Sequence, residues 1–147
     1  MPGEGALSAS HLIVYVADTD ASIAFWCKGM GGVLEQDGEL EAPALDAMFG
    51  RQGVRIRDTF IAIGGLRLHT IEPLDVPSSG ARKPMRTAGI DGVSFAIDDI
   101  EAAHARADGE GLRPTPIYDF TDIEQPCRMF FLDDPDGIRV EMIQYLR

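Results

Sequence analysis

Apolar and polar positions along this chain sort into short β-type runs and a few helical ones, and the order in which they fall occurs twice. Leu-Ile-Val-Tyr-Val from Leu12 to Val16 is a continuous β-rich run and predicts a buried strand from His11 to Val16. Asp18 or Thr19 can cap the helix that follows, from about Asp20 to Met30. Ile23, Trp26 and Met30 fall at helical spacing there, and Gly31-Gly32 stops it. Val33 to Gln36 reads as a short strand, and Pro43 to Phe49 as a single helical insertion with Pro near its start and Gly50 behind it. Val54 to Ile63 and Leu66 to Ile71 read as strands joined across Gly64-Gly65. Pro73 to Arg86 carries Pro, Ser and Gly without periodicity and predicts a linker. The order then returns, with a strand from Val93 to Ile97 and a helix from Asp99 to Gly109. Strands follow at Thr115 to Phe120, Cys127 to Leu132 and Ile138 to Tyr145, the last two joined by the turn sequence Asp133-Asp-Pro-Asp-Gly137. Each copy is therefore β-α-β-β-β.

The repeat is also legible in the residues themselves. His11-Leu-Ile-Val-Tyr-Val-Ala-Asp18 returns 81 positions on (from 11 to 92) as Gly92-Val-Ser-Phe-Ala-Ile-Asp-Asp99. Gly65-Leu-Arg-Leu-His69-Thr-Ile returns 72 positions on (from 69 to 141) as Gly137-Ile-Arg-Val-Glu141-Met-Ile. Such self-similarity marks two copies of one folding unit. The paired slots hold His11 and Gly92 in the first match, and His69 and Glu141 in the second. Three of those four positions carry a side chain able to bind a divalent metal.

Composition narrows the class. The 147 residues suit one domain with a sizeable core, and 45% hydrophobic with 25% charged residues is ordinary for a soluble globular protein. A net charge of −11 with scattered basic residues, apart from Arg82 to Arg86, argues against a nucleic-acid partner. Cys27 and Cys127 are too few for a disulfide scaffold and fit a reducing compartment. Met1 to Ser10 lacks the basic start and apolar stretch of a signal peptide, and no apolar run is long enough for a membrane span. These features predict a soluble, cytoplasmic protein.

His-x-x-x-x-Val-x-Asp before a helix, with Asp-Pro-Asp-Gly-x-x-x-Glu near the end, resembles the vicinal oxygen chelate superfamily, which includes glyoxalase I, methylmalonyl-CoA epimerase, extradiol dioxygenases and bleomycin-resistance proteins. The resemblance runs from about residue 10 to 146 and is most specific from Asp133 to Glu141. It implies an α+β fold: a single domain over 1–147, with module one at 10–72, a linker at 73–88 and module two at 89–146. The two βαβββ modules pair so that their mixed sheets curve into a metal-binding cup. Position by position, it implies His11, His69 and Glu141 as metal ligands, with the fourth slot empty at Gly92. On this reading Gly92→His would supply the missing ligand. It also implies a homodimer, with the cup completed in one chain or by exchange between two.

Two imidazoles and one carboxylate suit Fe(II) with open positions, although Mn, Co, Ni or Zn satisfy the same donors. The expected activity is that of a metal-dependent enzyme acting on a small substrate chelated through neighbouring oxygens. Fe(II) dioxygenase chemistry is slightly preferred to glyoxalase- or epimerase-type isomerisation. The alternative is a metal-free protein that binds or sequesters a small molecule such as a drug. Arg67 and Arg139 are equivalent in the two copies and share the ligand face, where they hold an anionic substrate or form surface ion pairs. Tyr15 shares the face of His11 and either lines the pocket or packs in the core. His104, on a polar helix, reads as a solvated surface residue, and Glu72, three residues from His69, as facing away from the site. No catalytic base is evident.

Overall fold

The computed structural model describes residues 9–75 and 89–147. The expected frayed start and most of the expected linker, with its Arg82-to-Arg86 stretch, lie outside the described residues. The elements are β1 (Leu12–Tyr15), α1 (Thr19–Ile23) running on as a π-helical segment (Ala24–Gly29), β2 (Val33–Glu41), α2 (Pro43–Phe49), β3 (Arg55–Ile63) and β4 (Leu66–Pro73). The second half gives β5 (Gly92–Ala96), α3 (Ile100–Gly109), β6 (Tyr118–Phe120), β7 (Cys127–Asp133) and β8 (Arg139–Tyr145). They build two four-stranded mixed sheets of identical order, β1-β4-β3-β2 and β5-β8-β7-β6. In each, the first strand runs parallel to the last and the other pairings are antiparallel. The chain is therefore an α+β repeat of βαβββ, with α2 inserted between the second and third strands of the first copy. By packing it forms two compact units: one holds the first sheet and α2, the other the second sheet, α3 and the segment Asp20–Gly31.

Register confirms the repeat residue by residue. Ile13 stands beside His69 in the first sheet, and Ser94 beside Glu141 in the second. The same two offsets appear in the helix caps. Glu72 Oε1 accepts the Thr19 N–H at 2.7 Å, and Gln144 Oε1 accepts the Ile100 N–H at 3.1 Å. A helix start leaves N–H groups unsatisfied and favours an oxygen there. Glu72 is thereby tied to the start of the first helix, on the face of β4 opposite His69.

Three elements depart from expectation for physical reasons. The first helix is not α-helical throughout, because the Met30 N–H reaches back five residues to the Phe25 carbonyl at 2.9 Å. The wider turn buries Ser22, Phe25, Trp26 and Gly29 in place of the expected stripe of Ile23, Trp26 and Met30. β2 runs five residues past Gln36. Its polar end is held by cross-strand ion pairs, Asp37 with Arg57 at 2.8 Å and Glu39 with Arg55 at 3.1 Å. The Arg57 guanidinium holds the Asp37 carboxyl below the usual carboxylate range. β6 begins only at Tyr118, since Pro114 and Pro116 have no N–H to give a ladder.

The Asp133-to-Gly137 turn is organised by Asp134, which is only 4% exposed. Its Oδ1 accepts the N–H groups of Asp136 at 2.9 Å and Ile138 at 2.7 Å. Burial pushes the Asp134 carboxyl above its ordinary value. A carboxyl raised in the folded state stabilises the fold below its unfolded pKa, and that contribution is lost as pH rises through the folded value. Asp134→Asn keeps the acceptor oxygen and removes the buried charge, so urea denaturation should find it at least as stable as the parent at neutral pH. Asp134→Ala strands both N–H groups and should cost about 2 kcal/mol. A parent whose stability does not depend on this side chain would show equal midpoints for both variants.

Candidate functional site

In the first unit, β1, β4 and β3 place His11, Ile13 and Tyr15 beside Arg67, His69 and Ile71, and beside Asp58 and Phe60, on one face. The other face carries Val14, Ile61 and Leu68, all buried, with the buried hydroxyls of Thr59 and Thr70 bonded to each other. α2 covers one end of the first face: Leu45 is buried with Val54 and Ile56, against which Phe49 and Ile71 pack. Tyr15 meets Phe49 edge-on at 6.5 Å and stays 56% exposed, so it lies on the face of His11 and His69 and not in the core.

The two predicted histidines are neighbours. Their rings lie 5.3 Å apart and nearly perpendicular. Phe60, a residue that sequence reasoning passed over, stacks on His69 at 4.2 Å and meets His11 edge-on at 5.5 Å. Asp58, likewise passed over, lies diagonally across from His69, and its Oδ2 is 2.9 Å from His69 Nε2. An ionised carboxylate only accepts, so the imidazole donates from Nε2, and the neutral ring in that tautomer has its lone pair on Nδ1. His11 Nδ1 is 2.8 Å from Ser10 Oγ, which leaves its Nε2 available. A carboxylate behind a ligand imidazole is the usual device for fixing its tautomer and raising its basicity. Arg67 is committed on both sides, since it pairs with Glu35 at 3.0 Å and its guanidinium lies 4.2 Å over Phe60.

In the second unit Glu141 occupies the register slot of His69, and Phe131 that of Phe60. Ser94 Oγ donates to Glu141 Oε1 at 2.8 Å. Arg139 repeats the placing of Arg67: its guanidinium is 5.4 Å over Phe131, and it pairs with Asp91 at 3.3 Å. A cavity of about 320 Å³ lies here, bordered by Gly92, Ser94, Phe131, Arg139 and Glu141. It adjoins a second, of about 420 Å³, through Phe131 and Arg139.

Among the described residues no three His, Cys, Asp or Glu side chains form one metal-holding group. The donor chemistry of the first unit nevertheless fits a divalent ion, because each histidine has one ring nitrogen anchored to an oxygen and one left over. His104 corrects the sequence reading. It is half-buried, its Nε2 is 2.8 Å from the Thr115 carbonyl oxygen to which it donates, and its ring meets Phe130 edge-on at 5.1 Å. Burial raises the Cys27 thiol, which fits a packing role. No helix among the described residues is long and apolar enough to cross a membrane.

No curated protein matches this chain by sequence. Solved structures do match its fold. A glyoxalase family protein from Bacillus cereus is similar at 18% identity and a TM-score of 0.79, covering 100% of this chain and 99% of that one. A glyoxalase family protein from Enterococcus faecalis is similar at 17% identity and a TM-score of 0.68, covering 92% and 96%. The fosfomycin resistance protein FosX from Listeria monocytogenes is similar at 18% identity and a TM-score of 0.65, covering 92% and 91%. Residues 8–142 match the family description itself. On that match and this fold, the chain belongs to the Glyoxalase/Bleomycin resistance protein/Dioxygenase superfamily.

Proposed function

We propose that this chain is a metal-dependent enzyme acting on a small substrate with neighbouring oxygens, and that His11, His69 and Glu141 are its ligands. The observation that carries the reading is the His11–His69 pair, its rings 5.3 Å apart, with Asp58 bonded behind His69. Glu141 supplies the third ligand, from the same chain or from a second copy in a homodimer. A bound divalent ion supplies Lewis acidity toward the substrate's oxygens. Asp58 holds the Nε2–H of His69, so that the neutral ring would offer Nδ1 to the ion, and Ser94 orients Glu141 through Oε1. Phe60 shields one face of the His69 ring from water. Two imidazoles and one carboxylate favour Fe(II), hence O₂-dependent chemistry, over isomerisation or lyase chemistry.

Metal quantified per chain in anaerobically purified protein tests this. Near-stoichiometric iron supports the oxygenase; near-stoichiometric Zn, Ni, Co or Mn supports isomerase or lyase chemistry. No metal as purified, and none taken up on titration, overturns the enzyme reading. One observation favours the metal-free binding protein that would then remain. The 420 Å³ cavity is edged by Tyr118, Phe120, Met129 and Phe131, an aromatic lining suited to an organic ligand.

A further inference from the structure

Among its described residues the second unit carries a cation without an ion pair beside open aromatic surface. Arg51, Arg55, Arg57, Arg67, Arg128 and Arg139 each face a carboxylate. Arg113, at the edge of the 420 Å³ cavity, has no side-chain hydrogen bond or ion pair among the described residues. Its backbone sits at φ 55°, the left-handed region, in a residue that is neither Gly nor Asn and that precedes Pro114. Both features are unfavourable for arginine, and strain of this kind is kept where a side chain must be aimed. Within the same cavity Tyr118 and Phe120 are each 44% exposed, and the Tyr118 and Phe131 rings stand 6.2 Å apart at a 47° tilt. Asp133, the acid on this wall, is the register partner of Arg139. A chain of net charge −11 repels anions at long range, so an anion held here must be recognised locally.

We propose that this cavity takes an aromatic carboxylate, its ring against Tyr118, Phe120 and Met129 and its carboxylate on the Arg113 guanidinium. One cation beside several apolar surfaces suits a monoanion on a flat ring better than a bare or multiply charged anion. The cavity volume lies within the range of small-molecule sites and leaves room for more than one ring. Because it joins the Glu141 cavity through Phe131 and Arg139, the ligand's far end reaches toward Glu141. The inference thus names a substrate class for the proposed enzyme and rests on that reading for its catalytic meaning, though not for binding.

Calorimetric titration of chelator-treated protein with 2-naphthoate and with the equally shaped 2-naphthamide tests it. The acid should bind at least about tenfold tighter than the amide, the difference expected of a charge-assisted contact. Arg113→Gly, which suits a left-handed backbone and so keeps the fold, should abolish that preference. Phe120→Ala should weaken both ligands together. Equal affinity for acid and amide, a preference that survives Arg113→Gly, or binding of neither ligand would each overturn the inference. Metal uptake without naphthoate binding sinks this inference and leaves the metal reading standing. Naphthoate binding without metal uptake upholds it and removes the enzyme.

Discussion

His69→Ala is expected to reduce divalent-metal affinity by more than about 100-fold in a Mn²⁺ or Fe²⁺ titration under anaerobic conditions. Losing an imidazole ligand must exceed the roughly 10–100-fold that follows when only the partner behind a ligand is lost. Asp58→Asn supplies that smaller loss. Its amide can still accept from Nε2–H, but without the charge that makes the ring more basic, and its effect should fall in the 10–100-fold range. The ordering is what distinguishes a metal site from a merely structural His–Asp pair. In the structural case both variants lose stability together, and metal affinity, if any, moves with neither. His104→Ala is a poorer control than the sequence suggests, because it removes a hydrogen bond to Thr115 and a ring contact with Phe130. It should lose about 1 kcal/mol of stability while metal affinity stays constant.

The repeat made the fold legible. Two offsets within the sequence place four strands and the helix after the first of them in each half, and the structure reproduces them down to the register of His69 and Glu141. What remained hidden were interactions that exist only once a register is known. Glu39 and Arg55, or Asp37 and Arg57, are 16 and 20 residues apart in sequence, and nothing in either tract alone shows that their charges will meet. β2 therefore reads as a short strand with a polar tail, although that tail is the half the ion pairs hold. Asp58 and Phe60 have the same history. They alternate with buried residues on β3, and only the pairing with β4 brings them to His69. The equivalence of the two copies at this point follows the same rule. It lies in the pairing and not in the spacing: Phe60 stands nine residues before His69 and Phe131 ten before Glu141, yet each is the register partner of its slot and lies under an arginine.

Gly92 is the place where the repeat and the structure disagree about what a substitution does. Read as a vacant ligand slot, it invites Gly92→His as a gain of metal affinity. The geometry predicts the opposite. A Cβ on Gly92 would stand 2.1 Å from the Arg139 carbonyl oxygen and 2.8 Å from its carbonyl carbon, so backbone and not a flexible side-chain tip must move. Gly92 is the register partner of Arg139, and two residues along the same pairing sets Ser94 beside Glu141. Displacing β5 from β8 at this point loosens the hydrogen bond from Ser94 that orients Glu141. Gly92→Ala and Gly92→His should therefore both lose roughly 3 kcal/mol or more, the upper end of overpacking costs, since the clash arises at Cβ in either variant. Neither should bind metal more tightly than the parent. Gly38→Ala is the matched control on a strand, because a Cβ there meets nothing within 4 Å, and its midpoint should stay within about 0.5 kcal/mol of the parent. A Gly92→His protein as stable as the parent and tighter for metal would show that β5 can yield at this position, and would restore the fourth ligand slot.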